Sequence, residues 1–138
     1  MKKLTLFYVV IAICILVSFV VTLFIDAARV VGVYKYSADV RVIDEQNRIG
    51  FNTDTDGLHF GSISSGSGSR RVLILRDIAQ DVRVQIVNHG EIASWISSEN
   101  NFILKKGEEK NLSFSLSVPS PIQVGNYTGE VTIVLRKI

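Results

Sequence analysis

At 138 residues, the chain has room for one domain of ordinary size and a short appendage. It carries 15 Lys plus Arg against 13 Asp plus Glu, and without Lys2 and Lys3 the two signs balance, so nothing in the composition supplies the basic surface that nucleic acid requires. The single cysteine, Cys14, excludes a disulfide framework, which leaves a hydrophobic core as the source of stability.

The first element is plain. Residues 4–25, LTLFYVVIAICILVSFVVTLFI, run for 22 positions without a charge. As a helix they would extend roughly 33 Å, enough for a hydrocarbon core of about 30 Å. Lys2 and Lys3 precede the run and Asp26 closes it, so the positive-inside rule puts the N-terminus in the cytoplasm and the rest outside. A cleaved signal would have a shorter apolar stretch and a better site than the one at Ala28. Lipidation at Cys14 is disfavoured by its mid-run position behind Ile13, and a core helix by apolarity on every face. The division expected is an uncleaved anchor over residues 1–29, touching lipid through 4–25, and an extracytoplasmic domain over 30–138.

From residue 33 the pattern alternates, as strands do. In YKYSADVRV one face holds Tyr34, Tyr36, Ala38, Val40 and Val42. DEQN is a polar turn, and RIGF begins a return strand. FNTDTDGLHFG follows, with Leu58 and Phe60 facing one way and His59 the other. Asn52, Asp54 and Asp56 fall at positions 1, 3 and 5 of a calcium-loop pattern, but position 12 is Ile63 and strands flank the loop, so no EF-hand is present. An ordinary turn is the leading reading, with Gly57 at positive φ; a weak calcium site on Asn52, Asp54 and Asp56 is the alternative.

The Ser- and Gly-rich loop at 61–69 lacks the lysine and following helix of a phosphate cradle. RRVLILR, apolar on both faces, predicts a central strand. Val82, Val84 and Ile86 alternate next. NHGEIASWISSEN then carries the only tryptophan, Trp95, expected either as a buried plug or as an exposed binding anchor beside Ile92 and Ile96. A short strand and a Gly-centred turn precede Leu112, Phe114, Leu116 and Val118. The closing strand places Tyr127, Val131, Ile133 and Leu135 on one side. Asn111 and Asn126 head glycosylation sequons. Neither histidine, His59 or His89, has a catalytic or metal-binding partner in sequence, so no catalytic residue, metal or cofactor is expected.

Seven or eight short strands predict an all-β, antiparallel sandwich behind the helix, with a small barrel as the alternative. LHFGSISSGS, FILKKGEEKNLSFSLSVP and GNYTGEVTI together resemble the immunoglobulin-like domains grouped with major sperm protein, ASH domains and pilus chaperones. The resemblance spans roughly residues 48–136, and G-x-Y-x-G-x-V-x-I is similar to the close of many archaeal and bacterial surface domains. The arrangement of anchor, IGFNTDTDGLHFG and closing strand also resembles that of small archaeal membrane-anchored proteins. It implies a non-enzymatic envelope module that meets another envelope or membrane protein and takes no small-molecule substrate. The alternatives are a pilus-type subunit or chaperone using strand donation, and a non-catalytic subunit of a membrane complex.

Overall fold

The computed structural model describes residues 2–44, 56–76 and 78–138. The charge-free run forms helix α1, Lys2–Ala28, and its span Phe7–Ala28 is long and apolar enough to cross a membrane. No part of that span is buried by the rest of the chain.

Eight strands follow: β1 (Val30–Ile43), β2 (Leu58–Ser64), β3 (Gly68–Leu75), β4 (Val82–Gly90), β5 (Ile96–Ser98), β6 (Phe102–Leu104), β7 (Lys110–Ser117) and β8 (Gly125–Lys137). A 3-10 turn, Ala93–Trp95, separates β4 from β5. The strands form two sheets, ordered β2-β1-β8-β4-β6 and β3-β7-β5. Their alternation turns one face of each sheet inward, and Val40, Val84, Val131 and Ile133 of the larger sheet share one core with Leu112, Phe114 and Leu116 of the smaller. Of the residues that alternation places on the apolar strand faces, Leu58, Phe60, Val84, Ile86, Phe114, Leu116, Val131 and Ile133 are buried, whereas Tyr36 and Tyr127 are half-buried and Tyr34 is exposed.

Two expectations need correction. β1 and β2 pair in parallel, so the sandwich is not antiparallel throughout. Residues 44–57 separate the two strands, long enough for the crossover that parallel neighbours need. The proposed return strand RIGF lies outside the described residues, as do Asn52 and Asp54. Nor is β3 central: among the described residues it bonds only to β7, at the edge of the smaller sheet, and Val72 and Ile74 stay 53% and 56% exposed. A run that is apolar on both faces has here one face in the core and one in the open.

The corner after β4 depends on two glycines. Gly90, at φ +90°, faces Gly129, and a Cβ on Gly90 would come within 2.7 Å of the Gly129 Cα. One on Gly129 would meet Ile92 Cγ1 at 2.9 Å, so the bare backbone admits Ile92, which is fully buried.

Phe114 is the largest side chain with no exposure. Phe114→Ala is expected to cost about 3–5 kcal/mol. By contrast, Val72→Ala should stay within about 0.5 kcal/mol, as surface changes do. Denaturation of the full chain in detergent, followed by Trp95 fluorescence, checks the pair; equal responses would contradict the packing described.

Candidate functional site

The densest cluster of ionisable side chains near the sequence's calcium-like loop gathers around His59. Parallel pairing puts His59 of β2 directly beside Asp39 of β1, on the outer face of the larger sheet. The ring Nδ1 meets both Asp39 oxygens, one of them at 3.1 Å, and Nε2 lies 3.1 Å from Asp56 Oδ1. Only the imidazolium donates from both nitrogens, so a carboxylate at each one selects the protonated form. The hydrogen bond to Asp39 is the main cause that raises the His59 pKa above 6.5; the bond to Asp56 adds to it, and partial burial opposes it.

Gly57 seats this arrangement by its smallness. Contrary to expectation it is not among the glycines with positive φ. A Cβ there would fall 2.7 Å from Ser37 Oγ and 3.0 Å from His59 Nε2, so a side chain would wedge the ring from β1. The main-chain oxygen of His59 accepts a bond from Arg71 Nε of β3 at 2.6 Å. One residue thus ties three strands: its ring to β1 and its carbonyl to β3.

The chemistry available is narrow. Nε2 faces a carboxylate instead of a hydroxyl, so the His–Asp pair activates no nucleophile in the manner of a hydrolase triad. Both lone-pair positions of the ring point at acids, which suits a proton and not a metal. Among the described residues, no group of three His, Cys, Asp or Glu is placed to hold a metal ion. Asp56, the one calcium candidate within the described residues, is an exposed side chain turned to His59.

The remaining candidates lie apart from this cluster. Trp95 is half-buried at the margin of the core, its ring 5.0 Å from that of Tyr127. Ile92 and Ile96, its supposed exposed companions, are buried. Trp95 is therefore neither a full plug nor the centre of an apolar surface patch. Asn111 and Asn126 are exposed on the outer faces of β7 and β8. His89 is exposed at the end of β4, opposite Glu130. The Ser- and Gly-rich loop contributes a tight turn between β2 and β3, closed by the Ser67 amide donating to the Ser64 carbonyl at 3.0 Å.

Sheet edges are the other candidate for function, because they offer unpaired main-chain groups. Among the described residues the edge strands are β2, β6, β3 and β5. β5 and β6 have three residues each, too short to template another strand. β2 is occupied at His59 by Arg71, and its pairing with β1 is broken by an irregularity between Asp39 and Arg41. β3 has eight residues and is the longest of these edges, with Val72 and Ile74 standing beside Arg70 on a face that also holds Ser97, Ser113, Ser115 and Asn111.

Compared with protein-family models, with curated proteins and with solved structures, the chain matches none of them.

The His59 cluster has a pH signature. Because its folded pKa is raised, the stability it adds is complete below the ordinary value near 6.5 and disappears as pH climbs through the raised one. Melts of the full chain in detergent should show a decline above neutrality that His59→Asn removes. An identical decline in His59→Asn would refute the assignment.

Proposed function

We propose that the chain is a single-pass membrane protein whose domain lies outside the cell and serves, without catalysis, as an interaction module of the envelope. Its contact is an extended segment of another envelope or membrane protein, laid along β3. The observation that carries this reading is β3 itself, an eight-residue edge strand that leaves Val72 and Ile74 exposed on a face they share with Arg70 and with serines of the neighbouring strands. An added strand would gain main-chain bonds from the edge, and alternate apolar residues would meet Val72 and Ile74. Natural edges are normally shortened, charged or covered; Arg70 and Arg71 charge only the first half of β3, and its VLIL half is left as the stretch a partner strand would cover.

The same reading takes the domain as immunoglobulin-like, and strand order supports it. In that fold one sheet carries strands A, B, E and D and the other C, F and G. β3, β7 and β5 follow the order B-E-D, and β4 and β8 follow C-F. β1 stands antiparallel to β8 where G would stand, so the N-terminal strand takes the place usually filled from the C-terminus. Near the start of β8, the Tyr127 hydroxyl donates to the Gln123 carbonyl at 2.9 Å, in the manner of the tyrosine corner of strand F. Strand donation of the pilus type needs a groove left by a missing strand, whereas β1 fills that place from the same chain.

The orientation follows from Lys2 and Lys3 ahead of the span. Protease added to intact cells should remove a C-terminal tag; a protected tag on membrane-bound protein would reverse the topology. Partner contact is tested by a photo-crosslinking residue at Val72 in native membranes, with the same probe at exposed Val87 of the other sheet as control. A discrete adduct is expected at Val72 alone, abolished when Ile74→Lys is added. Equal adducts at both positions would remove β3 from consideration.

A further inference from the structure

Where the helix meets the domain, Asp26, Arg29, Arg83, Gln85, Arg136 and Lys137 line an open cleft, with Ile138 at its mouth. Four cationic side chains face one carboxylate. Even with a main-chain carboxylate at Ile138, cations outnumber anions two to one. Asp26 is already engaged, bonded to Arg136 Nη1 at 2.5 Å. The Arg136 Nε is buried and has no protein acceptor. Arg83 is the ladder partner of Arg136, so two guanidinium-bearing residues sit directly opposite on neighbouring strands. Like charges in that position repel unless an anion lies between them. Among the described residues, no acid pairs with the side chains of Arg29, Arg83 or Lys137.

Position selects the anion. Arg29 stands four residues beyond Ile25, the last of the uncharged run, which is about 6 Å along a helix. The interfacial layer of a bilayer is roughly 5–7 Å deep on each side. The Lys137 amide donates to the Arg29 carbonyl at 2.7 Å, which holds the end of β8 at the same level. Val31, Val33 and Tyr34 are exposed at the membrane end of β1, where apolar and amphipathic side chains suit an interface.

We propose that this cleft binds the phosphate of an anionic phospholipid headgroup in the leaflet beneath the domain, the Arg83 and Arg136 guanidinium groups taking its oxygens. Arginine forks match phosphate geometry, and Arg29 and Lys137 supply the surrounding positive field. The assignment rests on the membrane-anchor reading and adds to it a choice of lipid.

The full chain is reconstituted in phosphatidylcholine vesicles, and its association with spin-labelled phosphatidylglycerol is compared with that of spin-labelled phosphatidylcholine. A preference for phosphatidylglycerol is expected, falling about fivefold for each cation removed in Arg83→Gln and Lys137→Gln. Arg41→Gln with Arg70→Gln, at the far end of the strands, should leave it unchanged. Equal loss in both pairs would reduce the effect to net charge and overturn the site. Displacement of the labelled lipid by inorganic phosphate, but not by chloride of equal ionic strength, would make the cleft a free-anion site instead. Release of the chain by alkaline carbonate would overturn the anchor and the headgroup together. Retention in the bilayer without lipid preference would overturn the headgroup alone.

Discussion

The ladder between β1 and β8 is the interaction on which the rest depends. It runs from Val30 beside Arg136 to Val42 beside Gly125, nearly the whole of both strands. β8 bonds to β4 on its other side and β1 to β2, so these two strands form the middle of the larger sheet. Only Arg29 separates β1 from the helix. Many anchored domains hang from a linker whose composition sets their reach. Here the apolar helix passes directly into an interior strand, and Asp26 with Arg136 and Arg29 with Lys137 fasten the junction to the end of β8 beside it. The domain is therefore coupled to the helix with no linker between them.

The inward faces of the strands were legible in the sequence because alternation is a local property. Val40 and Val42, Leu58 and Phe60, and Phe114 and Leu116 all point inward as their spacing requires. Pairing is not local. The pattern of β1 reads the same whether its neighbour runs with it or against it, so the parallel β2 was invisible, and with it the meeting of Asp39 and His59 across 20 positions of sequence. For β3, VLIL looks alike whether both faces are covered or one. The sequence held a hint in Arg70 and Arg71, since charge at the start of a strand is a common mark of an edge. Gly57 was read as a turn glycine needing positive φ; its actual constraint is the closeness of Ser37, a tertiary fact.

The outer face of the smaller sheet brings two readings into competition. Asn111 of the first sequon is the ladder partner of Ile74, so both side chains leave the sheet on the same side and next to each other. A glycan there would lie over the apolar pair that marks β3 as an edge for docking. A glycan at Asn111 would thus compete with the side chains of an added strand for Val72 and Ile74, without blocking the main-chain edge of β3. Asn126 raises no such conflict: it pairs with Arg41 on the other sheet, at the end far from helix α1.

The His59 cluster and the β3 edge belong to one side of the sandwich. β2 and β3 are consecutive strands in different sheets, joined by the turn at Ser64–Ser67. A side-chain bond across their open flank is Arg71 to the carbonyl of His59, whose ring is in turn held against Asp39 of the central ladder. Protonated, the ring locks β2 onto β1 and so fixes the acceptor that Arg71 reaches from β3. Neutral, the ring would present a lone pair to one of its two carboxylates, and that attachment weakens. The ring is partly open to solvent, with 20% of the side chain exposed, so a proton can arrive without the sheet unfolding. Through Arg71, β3 is thus tied to this acid-base pair as well as to β7.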